Sequence, residues 1–395
     1  MKHDFLTYQA QTTPHPLGMV VSRAAGCYVY DENNVGHLDF VAGVSACSLG
    51  HCHPEVIAAV KDQCERYMHV MVYGEYVQSP AVRYTKLLAS LLPEPLQTTY
   101  LVNSGTEAIE AAIKLARRVT GRSEIIAAQT AYHGNTMGSL SLMDLEGRKA
   151  PFRPLLPGIK FMKFNDFEAV GRITEHTAAV VLETIQGGAG FIMPKPGFLE
   201  KVRAKCTQEG ALLILDEIQP GFGRTGTLFA FQQFNCIPDI LVIGKGMASG
   251  LPCGALVASH DHMSQLSDNP KLGHITTFGG NPVIAAASLA TLTTLTNSAI
   301  MKEIAAKEKH FRSLLVHPLI KEIRGTGLML ALILESGRHA DELVLRAAKN
   351  RLILFWLLFE PRAVRITPPL VISIDEITLG CQKILAILDD IHQNC

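Results

Sequence analysis

Short apolar runs punctuate the middle of the chain, each closing on polar or glycine-rich residues: TTYLV (98–102), EIIAA (124–128), AAVVL (178–182), ALLIL (211–215) and DILVI (239–243). Runs of this length bounded by turn formers read as strands buried on both faces, and most of them lead into a helical pattern. That alternation predicts an α/β fold with a mainly parallel sheet between helices. PCGALVAS (252–259) is a further strand whose direction, parallel or antiparallel, the pattern leaves open. From about residue 295 the texture changes to amphipathic helix (MKEIAAKEKHFRSLL), strand (GLMLALIL), helix (ADELVLRAAKN) and a closing helix after Ile374. We therefore expect a large domain at 51–294 and a smaller α+β domain at 295–395. Residues 1–50, with YVYDENNVGHLDF as a hairpin around Asn33 and Asn34, should pack with the smaller domain.

Composition narrows the partners. A chain of 395 residues exceeds the size at which one core stops growing, which supports two domains. Lys plus Arg and Asp plus Glu each number 36, so there is no surplus charge to neutralise nucleic acid or an anionic membrane. Small molecules or other subunits are the expected partners. The nine scattered cysteines, an odd number with no CxxC pair, suit a reduced cytoplasm better than a disulfide framework. The first residues lack an apolar secretory core, and the longest apolar run, Leu352 to Phe359, cannot cross a bilayer; a soluble cytoplasmic protein is expected.

In open α/β sheets the ligand sits beyond the carboxyl ends of the strands, so residues just after each run carry the information. After TTYLV comes Asn103-Ser104-Gly105-Thr106-Glu107, then AIEAAIKLARR with Ile109, Ala112, Ile113 and Ala116 on one helical face. Ser104 and Glu107 have capping-box spacing; the same helix start, with its free N–H groups, glycine and two hydroxyls, also suits a phosphate. Tyr132-His133-Gly134 follows EIIAA and would set a ring and an imidazole over the cleft, although a tyrosine alone there is more often packing. Glu183 follows AAVVL; Asp216, Glu217 and Gln219 follow ALLIL. A carboxylate at the buried end of so apolar a strand needs a cationic partner. Lys245 follows DILVI between Gly244 and Gly246, which leave its amine room to receive a bulky carbonyl compound.

Three other motif readings fail. Gly221 to Gly226 fits GxGxxG, but five residues separate it from the strand and TLFAFQQF is a poor phosphate-binding helix. Gly244-Lys245 lacks the upstream glycine and following hydroxyl of a Walker A loop, with Asp239 and Gly246 in those places. His51-Cys52-His53 has adjacent residues that point to opposite faces in an extended chain and no second cluster to complete a metal site; a backbone turn role is expected. Together the strand ends offer a phosphate cradle, an aromatic ring, a buried acid and a lysine. Pyridoxal 5'-phosphate needs that set, with the lysine as Schiff-base former and the acid keeping the pyridine nitrogen protonated.

These residues resemble the class III pyridoxal-phosphate aminotransferases, the family of acetylornithine, ornithine and 4-aminobutyrate aminotransferases. The resemblance runs through LDFVAGVSACSLGHCHP (38–54), NSGTEA (103–108), YHGNTMG (132–138), ETIQGG (183–188), DEIQPGFGRTG (216–226), IGKGMASGLPCGA (243–255), TTFGGNP (276–282), IRGTGLM (323–329) and VRITPPL (364–370). It implies fold type I, with a mainly parallel seven-stranded sheet, and a ping-pong transfer of an amino group from an amino acid or amine donor to a 2-oxo acid. By that resemblance Ser104, Gly105 and Thr106 bind the phosphate, Tyr132 stacks on the pyridine ring beside His133 and Glu183, Asp216 meets the ring nitrogen and Gln219 the ring hydroxyl. Lys245 holds the cofactor and, once displaced, carries the substrate proton. The position of Thr277 implies a hydroxyl reaching the phosphate of a neighbouring subunit, hence a homodimer, and Arg365 implies a substrate-carboxylate receptor.

Departures bear on substrate. Asn135 stands where the family usually has an arginine clamp, and Gly188 where a glutamate can pair with the later arginine and hide it; Arg365 should then be permanently available. Val44 and His69 stand where ornithine aminotransferase has tyrosines that contact ornithine, which makes ornithine a less expected donor. Thr184 and Pro220 replace the usual proline and threonine without an evident functional reason. An aminomutase or racemase of the same fold would use the same residues without releasing a keto acid. A catalytically retired cofactor-binding protein is disfavoured by the retention of Asp216, Lys245 and Arg365 together.

Overall fold

The computed structural model describes residues 1–393; Cys395 lies outside them. At its centre is a seven-stranded sheet in the order Thr98–Val102, Gly254–Ala258, Ile240–Gly244, Leu212–Asp216, Thr177–Glu183, Glu124–Ala128, Ile159–Met162. Gly254–Ala258 runs antiparallel to both neighbours, which settles the direction the sequence leaves open. The remaining pairings are parallel, so the strand ends at residues 102, 128, 183, 216 and 244 open on one edge of the sheet. Strands Thr177–Glu183 and Ile240–Gly244 are buried at every residue, in keeping with the apolar stretches 178–182 and 240–243 that they carry.

The helix Gly105–Thr120 is where local sequence and site meet. Ser104 caps it by accepting the Glu107 N–H at 3.3 Å, an interaction whose loss costs about 1 kcal/mol. The reciprocal half of the expected capping box falls one residue earlier: Glu107 Oε2 accepts from the Asn103 N–H (2.8 Å) and side-chain amide (2.9 Å). Ile109, Ala112, Ile113 and Ala116 are buried against the sheet, and Gly121 closes the helix in the left-handed conformation (φ 67°).

Two smaller sheets flank this unit. Val21–Ala25, Tyr28–Asp31 and Gly36–Asp39 form the antiparallel segment, with the hairpin turning through Asn34 (φ 60°). Leu352–Ile353, from the far end of the chain, pairs with Gly36–Asp39 in parallel, so residues near both termini share one sheet. The other joins Ile320–Thr326, Met329–Leu334, Ala363–Ile366 and Phe355–Trp356. Helices Ile300–Leu314, Gly337–Lys349 and Ile374–Gln393 lie where the sequence pattern predicts them. No single described helix is long and apolar enough to cross a membrane; Pro282–Asn297 and Ile300–Leu314 reach that length only as a pair bent by 71°. Pro282–Asn297 owes its apolar character to packing on Pro54–Arg66 and Ser79–Ser90.

Candidate active site

The strand ends converge on a cavity of about 630 Å³ lined by residues from Val44 to Arg365. Of the residues singled out in the sequence, Ser104, Gly105, Thr106, Tyr132, His133, Asn135, Glu183, Asp216, Gln219, Lys245, Arg365 and Val44 all reach it. Thr277 does not: it is exposed in a surface segment. Nor does His69, which packs its ring on Phe278 at 4.8 Å.

At the floor, Asp216 Oδ2 lies 2.8 Å from His133 Nδ1, and Asp216 Oδ1 accepts the Ile218 N–H at 2.9 Å. His133 is thus the side chain that the buried carboxylate meets within the chain. Burial opposes charge on the imidazole, but Asp216 and Glu183 outweigh it and move its pKa upward. Its Nε2 is buried without a partner. Glu183 accepts the N–H groups of Tyr132 (3.3 Å) and Gly187 (3.1 Å); burial, reinforced by Asp216, pushes its carboxyl up to about 7.

Lys245 projects from the end of Ile240–Gly244 with φ 44°, a left-handed conformation that lysine rarely adopts and that the surrounding packing must hold. No hydrogen bond or ion pair engages its amine among the described residues. Burial, with the nearby Arg365 charge, brings its pKa down to about 8 although Asp216 and Glu183 pull the other way. The flanking glycines answer to backbone packing as well as to open space: a Cβ at Gly246 would stand 2.4 Å from Ser48 Oγ, and one at Gly244 3.2 Å from the Cys253 carbonyl.

Arg365, 5% exposed, enters from Ala363–Ile366; its Nε donates to the Trp356 carbonyl at 3.3 Å and its Nη1 is buried without a partner. Among the described residues no carboxylate pairs with it, and burial alone lowers its pKa to about 10. At Gly188 the position is filled from outside: a Cβ there would stand 2.7 Å from the Phe359 ring. Arg148 lies over that ring at 5.2 Å and donates to the Leu358 carbonyl at 3.4 Å, and its charge reaches Tyr132. Sequence reading passes over Leu358, Phe359 and Arg148, because only the fold brings residues so distant in the chain together.

The segment bearing Val44 is bent sharply, with Ala42, Val44 and Ser45 all at positive φ. Asp39 holds it by accepting the Val41 and Ala42 N–H groups and pairing with His51 at 2.8 Å. His51 is therefore occupied within the fold, and Cys52 turns the chain (φ 52°). The Gly221 to Gly226 run is a buried turn. Its fully buried Arg224 donates to the Leu328 and Pro368 carbonyls, which ties the central unit to the smaller sheet segment.

This donor set fits pyridoxal phosphate on the molecule's own terms. A glycine-started helix opens toward the cavity, with Gly105 so close to Ile218 that a Cβ would stand 2.6 Å from its Cδ1. An aromatic ring, a buried acid and an unengaged amine line the same space. The sequence profile described as Aminotransferase class-III matches residues 8–388. This chain belongs to that family. Acetylornithine aminotransferase of Methanopyrus kandleri is 38% identical over 368 residues, 92% of each chain. The ornithine aminotransferase of Toxoplasma gondii superposes with a TM-score of 0.92 at 31% identity, covering 100% of this chain and 96% of that one. A second structure of the Toxoplasma protein, with a TM-score of 0.91 at 31% identity and covering 100% and 95%, has PLP at partial occupancy in its active site. As a class III aminotransferase the protein uses pyridoxal phosphate to move an amino group from a donor to a 2-oxo acid.

Proposed function

We propose that this aminotransferase receives the carboxylate of its 2-oxo acid acceptor, and that of an α-amino donor, on Arg365, while the Asn135 side takes a less charged group. The observation that carries this reading is the bare guanidinium: Arg365 keeps a buried, unpartnered Nη1 in the cavity that holds the Lys245 amine. A carboxylate would give that nitrogen its missing acceptor, and guanidinium and carboxylate match as a bidentate pair. Gly188 offers no side chain to compete, and Phe359 fills the space where one would lie. On the opposite side, Asn135 donates to the Tyr132 hydroxyl at 3.2 Å and brings no charge. Arg148 is engaged by the Leu358 carbonyl and the Phe359 ring. The acetylornithine and ornithine acted on by the named relatives are candidates to test, not assumed donors.

Ser104, Gly105 and Thr106 would hold the cofactor phosphate, Tyr132 would cover the ring, Gln219 would meet its hydroxyl, and Glu183 and His133 would support Tyr132 and Asp216. When bound, pyridoxal phosphate withdraws electrons from the substrate carbon that bears the nitrogen, which makes its hydrogen acidic. Asp216, held in place by His133, would keep a proton on the ring nitrogen. Lys245 Nζ would hold the cofactor through its carbonyl and, when free, would be placed to take and return the acidic proton of the substrate carbon. A lysine brought to about 8 is suited to that exchange near neutral pH, because both its states are accessible. The proposal includes a homodimer in which Thr277 serves the neighbouring site, a division of the chain near residues 50 and 294, and cytoplasmic residence. The eight described cysteines are all free thiols, in keeping with a reducing compartment.

The test is a panel of α-amino acids, ω-amino acids and diamines against pyruvate and 2-oxoglutarate, with Lys245→Ala as blank. Arg365→Ala should raise the half-saturating acceptor concentration roughly tenfold to a hundredfold, the loss of about 1.5–3 kcal/mol of charged hydrogen bonding. An unchanged value would sink the assignment of Arg365.

A further inference from the structure

Behind Thr106 lies a cluster of hydroxyls that the reading above does not use. Thr106 Oγ1 is 2.8 Å from Thr136 Oγ1 and 2.6 Å from Ser139 Oγ, and these two are 2.9 Å apart. The Thr136 N–H also donates to Thr106 Oγ1, at 3.3 Å. The cluster ends on a single carboxylate oxygen: Glu110 Oε1 accepts from Thr136 Oγ1 (2.5 Å), the Gly138 N–H (2.8 Å) and the Ser139 N–H (3.2 Å). Two glycines make the approach possible. A Cβ at Gly134 would stand 2.3 Å from Thr106 Oγ1, and one at Gly138 2.1 Å from Glu110 Oε2.

Proton counting gives this cluster a direction. A carboxylate accepts only, so the single Thr136 hydroxyl proton goes to Glu110. The Thr136 oxygen is then an acceptor. Thr106 Oγ1 receives the Thr136 N–H, and its own proton has two acceptors in reach, Thr136 Oγ1 within the cluster and an anion in the cavity it lines. Glu110 and Thr106 sit one helical turn apart on Gly105–Thr120, so the helix that starts the phosphate cradle also carries the carboxylate that anchors its hydroxyl.

We propose that Glu110 and Thr136 are positioning residues for the cofactor phosphate, holding the Thr106 hydroxyl in the rotamer from which it donates to that anion. The inference rests on Thr106 being a phosphate ligand. Its consequence is selective: the cluster should matter for pyridoxal phosphate and not for pyridoxal, which has the same ring and carbonyl without the anion.

The experiment is equilibrium binding of both compounds to apoenzyme, followed by absorbance and protein fluorescence. Thr136→Val removes the hydroxyl while leaving the Glu110 bonds to Gly138 and Ser139 in place. It should weaken pyridoxal phosphate about tenfold and leave pyridoxal within about twofold. Glu110→Ala should weaken pyridoxal phosphate by at least as much, Glu110→Gln should recover most of the loss because its amide oxygen can accept the same three donors, and Glu110→Ala with Thr136→Val should not be additive. Equal weakening of both compounds, or unchanged pyridoxal phosphate binding in Thr136→Val and Glu110→Ala, overturns the proposal. If wild-type apoenzyme itself shows no saturable uptake of pyridoxal phosphate, the cofactor assignment fails instead. Melting of each apo variant separates misfolding from lost positioning, and Thr136→Val, which keeps the Glu110 bonds to the Gly138 and Ser139 N–H groups, decides the matter if Glu110→Ala does not fold.

Discussion

A lysine is ordinarily a surface charge, and what changes Lys245 is its surroundings. Burial and the Arg365 charge bring its pKa to about 8, so about a tenth of the amine is unprotonated at neutrality. Capture of pyridoxal phosphate by apoenzyme should therefore rise with pH to a plateau with a midpoint near 8, falling about tenfold per unit below it. Stopped-flow absorbance across a pH series measures this; a midpoint at the ordinary lysine value would show that the amine is not desolvated. Arg365→Met should move the midpoint upward, since the guanidinium disfavours a second positive charge. The linked stability effect has the same origin. Between about 8 and the ordinary lysine value the unfolded chain binds more protons than the folded one, so this group's contribution to apoenzyme stability rises with pH across that window. Much of this residue chemistry is legible in sequence: a lysine and an acid at neighbouring strand ends already imply a shared cleft, and a buried acid implies a cation. Sequence does not say that Asp216 pairs with His133, or that Lys245 adopts φ 44°, because both follow from how separate segments meet.

Elements explain the specificity side of the cavity. The run Leu352 to Phe359, unremarkable in sequence except as too short for a bilayer, breaks into the strand pairs Leu352–Ile353 and Phe355–Trp356. It then brings Leu358 to the cavity wall and Phe359 onto Gly188. Gly188→Glu alone should be overpacked against that ring and destabilised by about 1–3 kcal/mol, visible as a lower melting temperature. Adding Phe359→Ala should restore much of the stability and let the new carboxylate reach Arg365, raising the half-saturating concentration of the 2-oxo acid. If the double variant folds and keeps wild-type acceptor affinity, Gly188 is not what leaves Arg365 available. Within the central sheet, the strand missed by pattern reading is the edge strand Ile159–Met162. The centre of the sheet is apolar throughout, but this strand has one neighbour and carries exposed Lys160, so it lacks the apolar run that betrays a doubly buried strand. The expected count of seven came from the family resemblance, not from the pattern.

At the scale of the whole molecule, one residue of the expected cofactor set stands apart. Thr277 is exposed beside a second cavity of about 530 Å³, which Thr276 and His274 help to line, and it does not reach the cavity that holds Lys245. A hydroxyl in that position can serve a phosphate only if another copy presents its site there, which is a statement about symmetry: in a two-fold dimer each protomer would lend Thr277 and receive it. The consequence is complementation. Lys245→Ala removes the amine from one protomer's own site, and Thr277→Asp sets a carboxylate against the phosphate of its partner's site. Each homodimer should be close to inactive. In a hybrid, the site that retains Lys245 also receives the unaltered Thr277, and an equal mixture exchanged at random should contain about a quarter native sites. Recovery of activity on mixing, growing with subunit exchange and absent when the two variants are separated by dialysis membrane, is the expected result. Failure to recover after exchange is confirmed by mass labelling would mean that each chain completes its own phosphate site. Thr277 would then have to be replaced in the cofactor set by a residue of the same protomer.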